Sequence, residues 1–104
     1  MYVWQDFLRT EIELLLLQTP TTSKPLIINL YGPSLGKTYF STQYKTHPFV
    51  LCRHVENIEN DMTVLGTNTN TRIVIMISID ILDDSRIDYY FNVEETQLLP
   101  RYVP

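Results

Sequence analysis

An apolar run leads directly into a glycine-bracketed turn, and this junction constrains the fold more than any other part of the chain. Residues 26–31 are apolar apart from Asn29, and residues 32–38 (GPSLGKT) contain two of the three glycines. A short, nearly continuous apolar run is typical of a strand buried on both faces of a parallel sheet. The sequence therefore predicts a buried strand, a sharp turn, and a connection that crosses over to the next parallel strand.

The residue types in segment 32–38 are those of a phosphate-binding loop. A glycine turn ending in Gly-Lys-Thr brings backbone N–H groups, an ammonium and a hydroxyl around one small volume, as a nucleoside triphosphate with Mg²⁺ requires. Lys37 would neutralise β- and γ-phosphate charge, and the Thr38 hydroxyl would bind Mg²⁺. The predicted nucleotide-binding residues, with ATP as the nucleotide, are Gly32, Ser34, Gly36, Lys37 and Thr38.

The spacing departs from the usual form of such a loop, G-x-x-x-x-G-K-[ST]. Only three residues separate Gly32 from Gly36, and Tyr31 stands where the longer spacing needs its first glycine. The loop therefore lacks one backbone amide or one flexible hinge. An ordinary Pro-Ser turn between a strand and a helix is the alternative interpretation.

A second ligand for Mg²⁺ must come from the end of a neighbouring strand. Residues 73–79 are β-branched and apolar, the strongest strand signal in the chain, and Asp80 follows them directly. We predict Asp80 as the metal-binding and catalytic carboxylate, sharing the metal with Thr38. Asp83 and Asp84 are weaker candidates, because a solvated turn accounts for them equally well.

Periodicity and turn residues predict the remaining segments. Apolar residues at helical spacing indicate an amphipathic helix over 4–18, and the prolines that follow indicate a linker over 20–25. Further along, we predict helices over 38–45 and 56–65, a strand over 49–52, a polar turn over 66–71, an acidic loop over 80–88, a short element over 89–93 and an irregular tail.

This order of elements requires crossover connections between parallel strands. We predict one α/β domain spanning residues 1–104, with a leading helix (1–19), a linker (20–25) and a core with its tail (26–104). Its small, mainly parallel sheet of three or four strands, of the P-loop NTPase type, would be flanked by helices. The phosphate loop would lie at the carboxyl ends of the strands.

Composition narrows the possible partners. The net charge is −4, and the eight basic residues are scattered along the chain, which argues against sequence-independent binding to DNA or membranes. The lone Cys52 with His47 and His54 offers too few ligands for structural zinc, so Cys52-Arg53-His54 is interpreted as a strand end. No secretory signal or membrane-spanning run is visible, and an intracellular location is expected.

The order of motifs resembles the N-terminal half of the superfamily 3 helicase domain of replication-associated (Rep) proteins from circular single-stranded DNA viruses. The resemblance covers most of the chain. In sequence order it is carried by Trp4-Gln5, segment 20–25, segment 26–31, segment 32–38, Asn60-Asp61-Met62, segment 72–80, Val93-Glu94-Glu95 and Arg101-Tyr102.

The resemblance implies an ATP- and Mg²⁺-binding segment of a viral or plasmid replication helicase, located in the host nucleus or cytoplasm, that acts in an oligomer or with a full-length relative. It aligns Ile77 with the family's metal-site aspartate, which displaces the acid to Asp80 by three positions. The family's arginine finger and asparagine sensor are not matched, so we expect little hydrolysis and no DNA contact by this chain alone. The alternative function is a non-catalytic relative that acts by protein contact.

Overall fold

The fold is a five-stranded, mostly parallel sheet with two helices. A computed structural model describes residues 2–18, 24–33, 36–56 and 70–101. The elements in chain order are α1 (Val3–Leu17), β1 (Leu26–Tyr31), α2 (Lys37–Thr42), β2 (Val50–His54), β3 (Ile73–Ile77), β4 (Tyr89–Asn92) and β5 (Gln97–Pro100). The strand order is β2-β3-β1-β4-β5, and only β5 runs antiparallel to its neighbour. This arrangement confirms the predicted α/β class with a mainly parallel sheet.

The centre of the sheet is formed by the two most apolar strands. β1 pairs with β3 on one side and with β4 on the other, with Asn29 opposite Met76 in the β1–β3 register. Every residue of β3 is buried. Strands covered on both faces read as continuous apolar runs, which is why these two were predicted from sequence.

Alternate residues of the central strands pack against different layers. Ile28 and Ile75 point to a core shared with Trp4 of α1 and Phe40 of α2, whose aromatic rings lie 5.3 Å apart. Val74 and Met76 point to the opposite face, where Ile87 from the β3–β4 connection covers them. Within the described residues, both helices therefore lie on one face of the sheet, which we call the helical face, and the β3–β4 connection covers the other.

Helix α1 is amphipathic on the side that meets the sheet. Trp4, Leu8, Ile12 and Leu15 recur at the spacing of one helical face and are all buried. Neither helix in the described part of the chain has the length and hydropathy needed to cross a bilayer.

Element boundaries differ from the predictions where side chains redirect the backbone. α2 ends at Thr42, three residues early, and turns follow it. β2 continues to His54, which confirms the Cys52-Arg53-His54 triplet as strand, and burial raises the pKa of the Cys52 thiol to about 12. β3 ends at Ile77, two residues early.

The C-terminal segment was predicted wrongly. Instead of an irregular tail, Gln97–Pro100 forms β5, which makes a hairpin with β4 and raises the strand number to five. Thr96, with φ of +50°, provides the left-handed residue of the turn. Pro100 is tolerated because β5 lies at an edge of the sheet. The linker at 20–25 in large part, and the helix and turn predicted over 56–71 in larger part, lie outside the described residues.

Candidate functional site

A cleft opens at the carboxyl ends of β1, β2 and β3. Its volume is about 660 Å³, within the range typical of small-molecule sites. Apolar residues make up much of the wall. The polar side chains that line it are those of Lys37, Thr38, His54, Ser78 and Asp80.

The position of the cleft follows from the connections of the sheet. The chain leaves β1 toward α2 on the helical face, whereas the connection from β3 packs over the opposite face. Two neighbouring parallel strands whose connections depart to opposite faces leave a crevice between their carboxyl ends. Open α/β sheets bind ligands in such crevices.

Both glycines of segment 32–38 have backbone conformations and surroundings that favour glycine. Gly32 has φ of +125° and Gly36 has φ of +99°. A Cβ atom on Gly32 would lie 2.6 Å from Cγ2 of Val93, and one on Gly36 would lie 2.7 Å from the ring of Tyr2. The glycines are therefore required for packing as well as for the turn.

Backbone groups at the two ends of the segment are bonded to other elements. The Gly32 N–H donates to the carbonyl of Ile79 at 3.0 Å, and the Gly36 carbonyl accepts from Gln5 Nε2 at 3.0 Å. The first bond joins the loop to the extension of β3 and the second joins it to α1. The Gly32 amide is consequently engaged by protein and not directed at a ligand. Ser34, predicted to bind the nucleotide, lies outside the described residues.

Lys37 begins α2 and is half-buried at the cleft. Its Nζ donates to the carbonyl of Gly32, so the ammonium reaches back across the loop. Burial lowers the pKa of Lys37 from its ordinary value, because desolvation disfavours the charged form. A bound anion would favour that charge again.

Thr38 faces the end of β2. Its Oγ1 lies 3.4 Å from Nε2 of His54, and both side chains line the cleft. The sequence analysis gave His54 no role at this site. The chain separates His54 from the loop by a helix and a turn, and only the pairing of β2 beside β3 brings it to this edge.

Asp80 lies on the cleft, three residues beyond the end of β3, and is exposed. The buried Asn29 holds this segment: its Nδ2 donates to the Met76 carbonyl at 3.0 Å and to Ser78 Oγ at 2.9 Å, and its Oδ1 accepts from the Leu82 N–H at 2.9 Å. Ser78 Oγ in turn donates to the Asp80 carbonyl at 2.7 Å. The one polar residue in β1 thus organises the loop that presents the acid.

The two weaker acid candidates are not among the residues that line the cleft. Asp84 accepts a 2.6 Å ion-pair contact from Arg86 and also accepts from the Arg86 backbone N–H. Hydrogen bonding to the Arg86 side chain lowers the pKa of Asp84 to about 2. This pairing is that of a turn that stabilises its own conformation. It leaves Asp80 as the acid positioned at the site.

The donor set does not form a closed metal cage. Within the described ranges, no cluster of three or more His, Cys, Asp or Glu side chains could hold a metal. Thr38 and Asp80 offer one hydroxyl and one carboxylate at the same cleft. Mg²⁺ is commonly held in this way, by one or two protein oxygens together with substrate phosphates and water.

Comparison of the chain with protein-family models, curated proteins and solved structures gave no match. The functional argument therefore rests on the geometry of the cleft and on the chemistry of its lining.

Proposed function

We propose that the cleft binds the triphosphate of a nucleotide, with ATP as the reference ligand, together with Mg²⁺. One observation carries the proposal: Lys37, Thr38 and Asp80 line the same cleft, although Asp80 lies 42 residues after Thr38 in the chain. An ammonium, a hydroxyl and a carboxylate at the carboxyl edge of a parallel sheet match the needs of a metal-bound triphosphate.

Each side chain has a distinct role in this proposal. Lys37 binds phosphate oxygens, exchanging its contact with the Gly32 carbonyl for an anion. Thr38 and Asp80 would hold Mg²⁺, whose chemistry when bound is to neutralise charge on the phosphate oxygens. Asp80 also orients the water that attacks the terminal phosphate. Among the described residues, no arginine lines the cleft, so turnover by the isolated chain should be low.

The wider role we propose is that of a nucleotide-binding segment in a Rep-like replication helicase. Support comes from the Trp4-Gln5 pair of the leading helix. Trp4 is buried against Phe40 of α2, and Gln5 donates to the carbonyl of Gly36. The pair thereby connects the leading helix to the loop, a physical reason for the two motifs to occur together.

Nucleotide titration of the Lys37→Ala variant tests the site. Loss of a charge-assisted contact should weaken ATP binding by about tenfold to a hundredfold, measured by calorimetry with and without Mg²⁺. Lys45→Ala is the matched control, because Lys45 is an exposed lysine in the turn after α2 and does not line the cleft. Absence of saturable binding to the wild-type protein at millimolar ATP would disprove the proposal.

A second candidate function is a non-catalytic protein that retains this fold and acts by protein contact. It is favoured by the glycines, since Val93 and Tyr2 explain Gly32 and Gly36 by packing alone. It is also favoured by the engaged amide of Gly32. A wild-type protein that binds no nucleotide yet retains a cooperative unfolding transition would support this function over the first.

A further inference from the structure

Helix α1 carries a second apolar face that points away from the sheet. Val3, Phe7, Leu14 and Leu17 are 68%, 50%, 51% and 82% exposed, respectively. With the exposed Thr10 between them, these positions follow one another at alternating intervals of four and three residues. We call Val3, Phe7, Thr10, Leu14 and Leu17 the outer seam. That spacing is the one by which helices pair through a and d positions of a heptad.

The outer seam is distinct from the residues that bury α1. The inner face uses Trp4, Leu8, Ile12 and Leu15, all of which are less than one-tenth exposed. The fold therefore does not require apolar residues at the outer positions. A helix with one apolar stripe against its own core needs only polar residues elsewhere. A contiguous exposed apolar surface along about 22 Å of helix is characteristic of an interaction site.

The residues beside the seam are acidic. Asp6, Glu11 and Glu13 occupy the e and g positions of the same heptad, and Arg9 is the one basic residue of α1. The Arg9 guanidinium is already committed, since it donates to Asp6 at 2.8 Å and also to Gln43. Residues at e and g set the choice of partner in paired helices.

We propose that the outer seam docks an amphipathic helix of a partner protein whose apolar stripe is flanked by lysine or arginine. Charge complementarity decides between the possible occupants. In a second copy of α1, either parallel or antiparallel, acidic flanks would face acidic flanks, which destabilises the pair. An anionic lipid surface would likewise repel these carboxylates, whereas a basic helix would pair with them.

A synthetic amphipathic peptide tests this proposal directly. The probe has leucine at a and d and lysine at e and g, and binding is followed by fluorescence anisotropy. Two control peptides are needed: one scrambles the same residues to destroy the heptad, and one replaces lysine with glutamate. The probe should bind saturably and both controls at least about tenfold more weakly, with affinity for the probe falling as salt is raised.

Variants of the protein locate the binding surface. Phe7→Glu and Leu14→Glu should each weaken binding of the probe by about tenfold or more, because each removes an apolar contact and adds a repelled neighbour among acids. Leu99→Glu is the matched control, since Leu99 is an exposed leucine on β5 and not on α1. Lys37→Ala should also leave binding unchanged, which separates this proposal from the nucleotide site. Circular dichroism and urea unfolding confirm that each variant remains folded.

Three results would overturn the proposal. The first is equal binding of the scrambled peptide, and the second is unchanged binding by both seam variants. The third is a concentration-dependent dimer in sedimentation equilibrium that Leu14→Glu abolishes, because that result would assign the seam to a second copy.

Discussion

At the scale of single residues, the loop is held at both ends by atoms that leave no room for a side chain. Gly32 meets the buried Val93, and Gly36 meets Tyr2 and Gln5 of the leading helix segment. Val93 follows β4 and Gln5 belongs to α1, so elements distant in sequence determine the shape of the loop. The site is therefore coupled to the packing of the whole domain.

Replacing Gly32 by alanine should destabilise the protein by about 2–4 kcal/mol. The cost combines the positive φ of this residue with the overlap of its new Cβ with Val93 Cγ2. Val93→Ala removes that methyl group, so the cost of Gly32→Ala should fall by about 1–2 kcal/mol in the Val93→Ala background. Urea unfolding of the four proteins of this double-mutant cycle measures the coupling. Strict additivity would show that the two residues do not clash.

The residues of the site differ in how far the sequence could predict them. Lys37 and Thr38 were predicted because they adjoin the glycines in one short motif, and Asp80 because it follows a clear strand. His54 and Asn29 were missed as site residues. Their positions depend on strand pairing, which brings β2 and β1 alongside β3, and no local pattern encodes that pairing.

At the scale of elements, β1 does more than deliver the chain to the loop. Its buried Asn29 bonds to Met76 in β3 and to Ser78 and Leu82 in the segment that carries Asp80. A buried polar side chain in an apolar strand is costly unless its hydrogen bonds are made, and here both its donor and its acceptor are used. Asn29 is thus a positioning residue for the acid of the site.

Asn29→Ala should destabilise the protein by about 3 kcal/mol, because it leaves the Leu82 N–H without this acceptor and opens a cavity. Ile28→Val, the neighbouring buried residue in the same strand, is the control and should cost about 1 kcal/mol. Denaturant unfolding monitored by the fluorescence of Trp4 measures both. A cost for Asn29→Ala no larger than that of Ile28→Val would remove Asn29 from its organising role.

The elements also show which sequence signals were sufficient. β1 and β3 were predicted because strands buried on two faces have no polar alternation to obscure them. β5 was missed because it is an edge strand with only Leu98 packed against the core, and because its prolines favour an irregular tail. The hairpin depends on Thr96 adopting a left-handed conformation, which threonine rarely does.

At the scale of the whole molecule, stability should decrease from the centre of the sheet to its β5 edge. β3 is entirely buried and is paired on both sides, whereas β5 is largely exposed and pairs only with β4 among the described strands. Amides in such a centre exchange only when the domain unfolds, and amides at such an edge exchange through local opening. The cleft lies at the carboxyl end of the rigid part, beside β1 and β3.

Native-state hydrogen exchange tests this gradient with a single core variant. Val74 is fully buried in β3, and Val74→Ala should lower the free energy of global unfolding by about 2–3 kcal/mol. Amides of β1 and β3 should lose that full amount of protection, because their exchange requires global unfolding. Amides of β5 should be less protected in the wild type and unchanged in the variant, since local opening does not disturb Val74. Equal losses in β3 and β5 would instead show that the five strands unfold as one cooperative unit, with the β5 edge as firmly held as the strands that position the cleft.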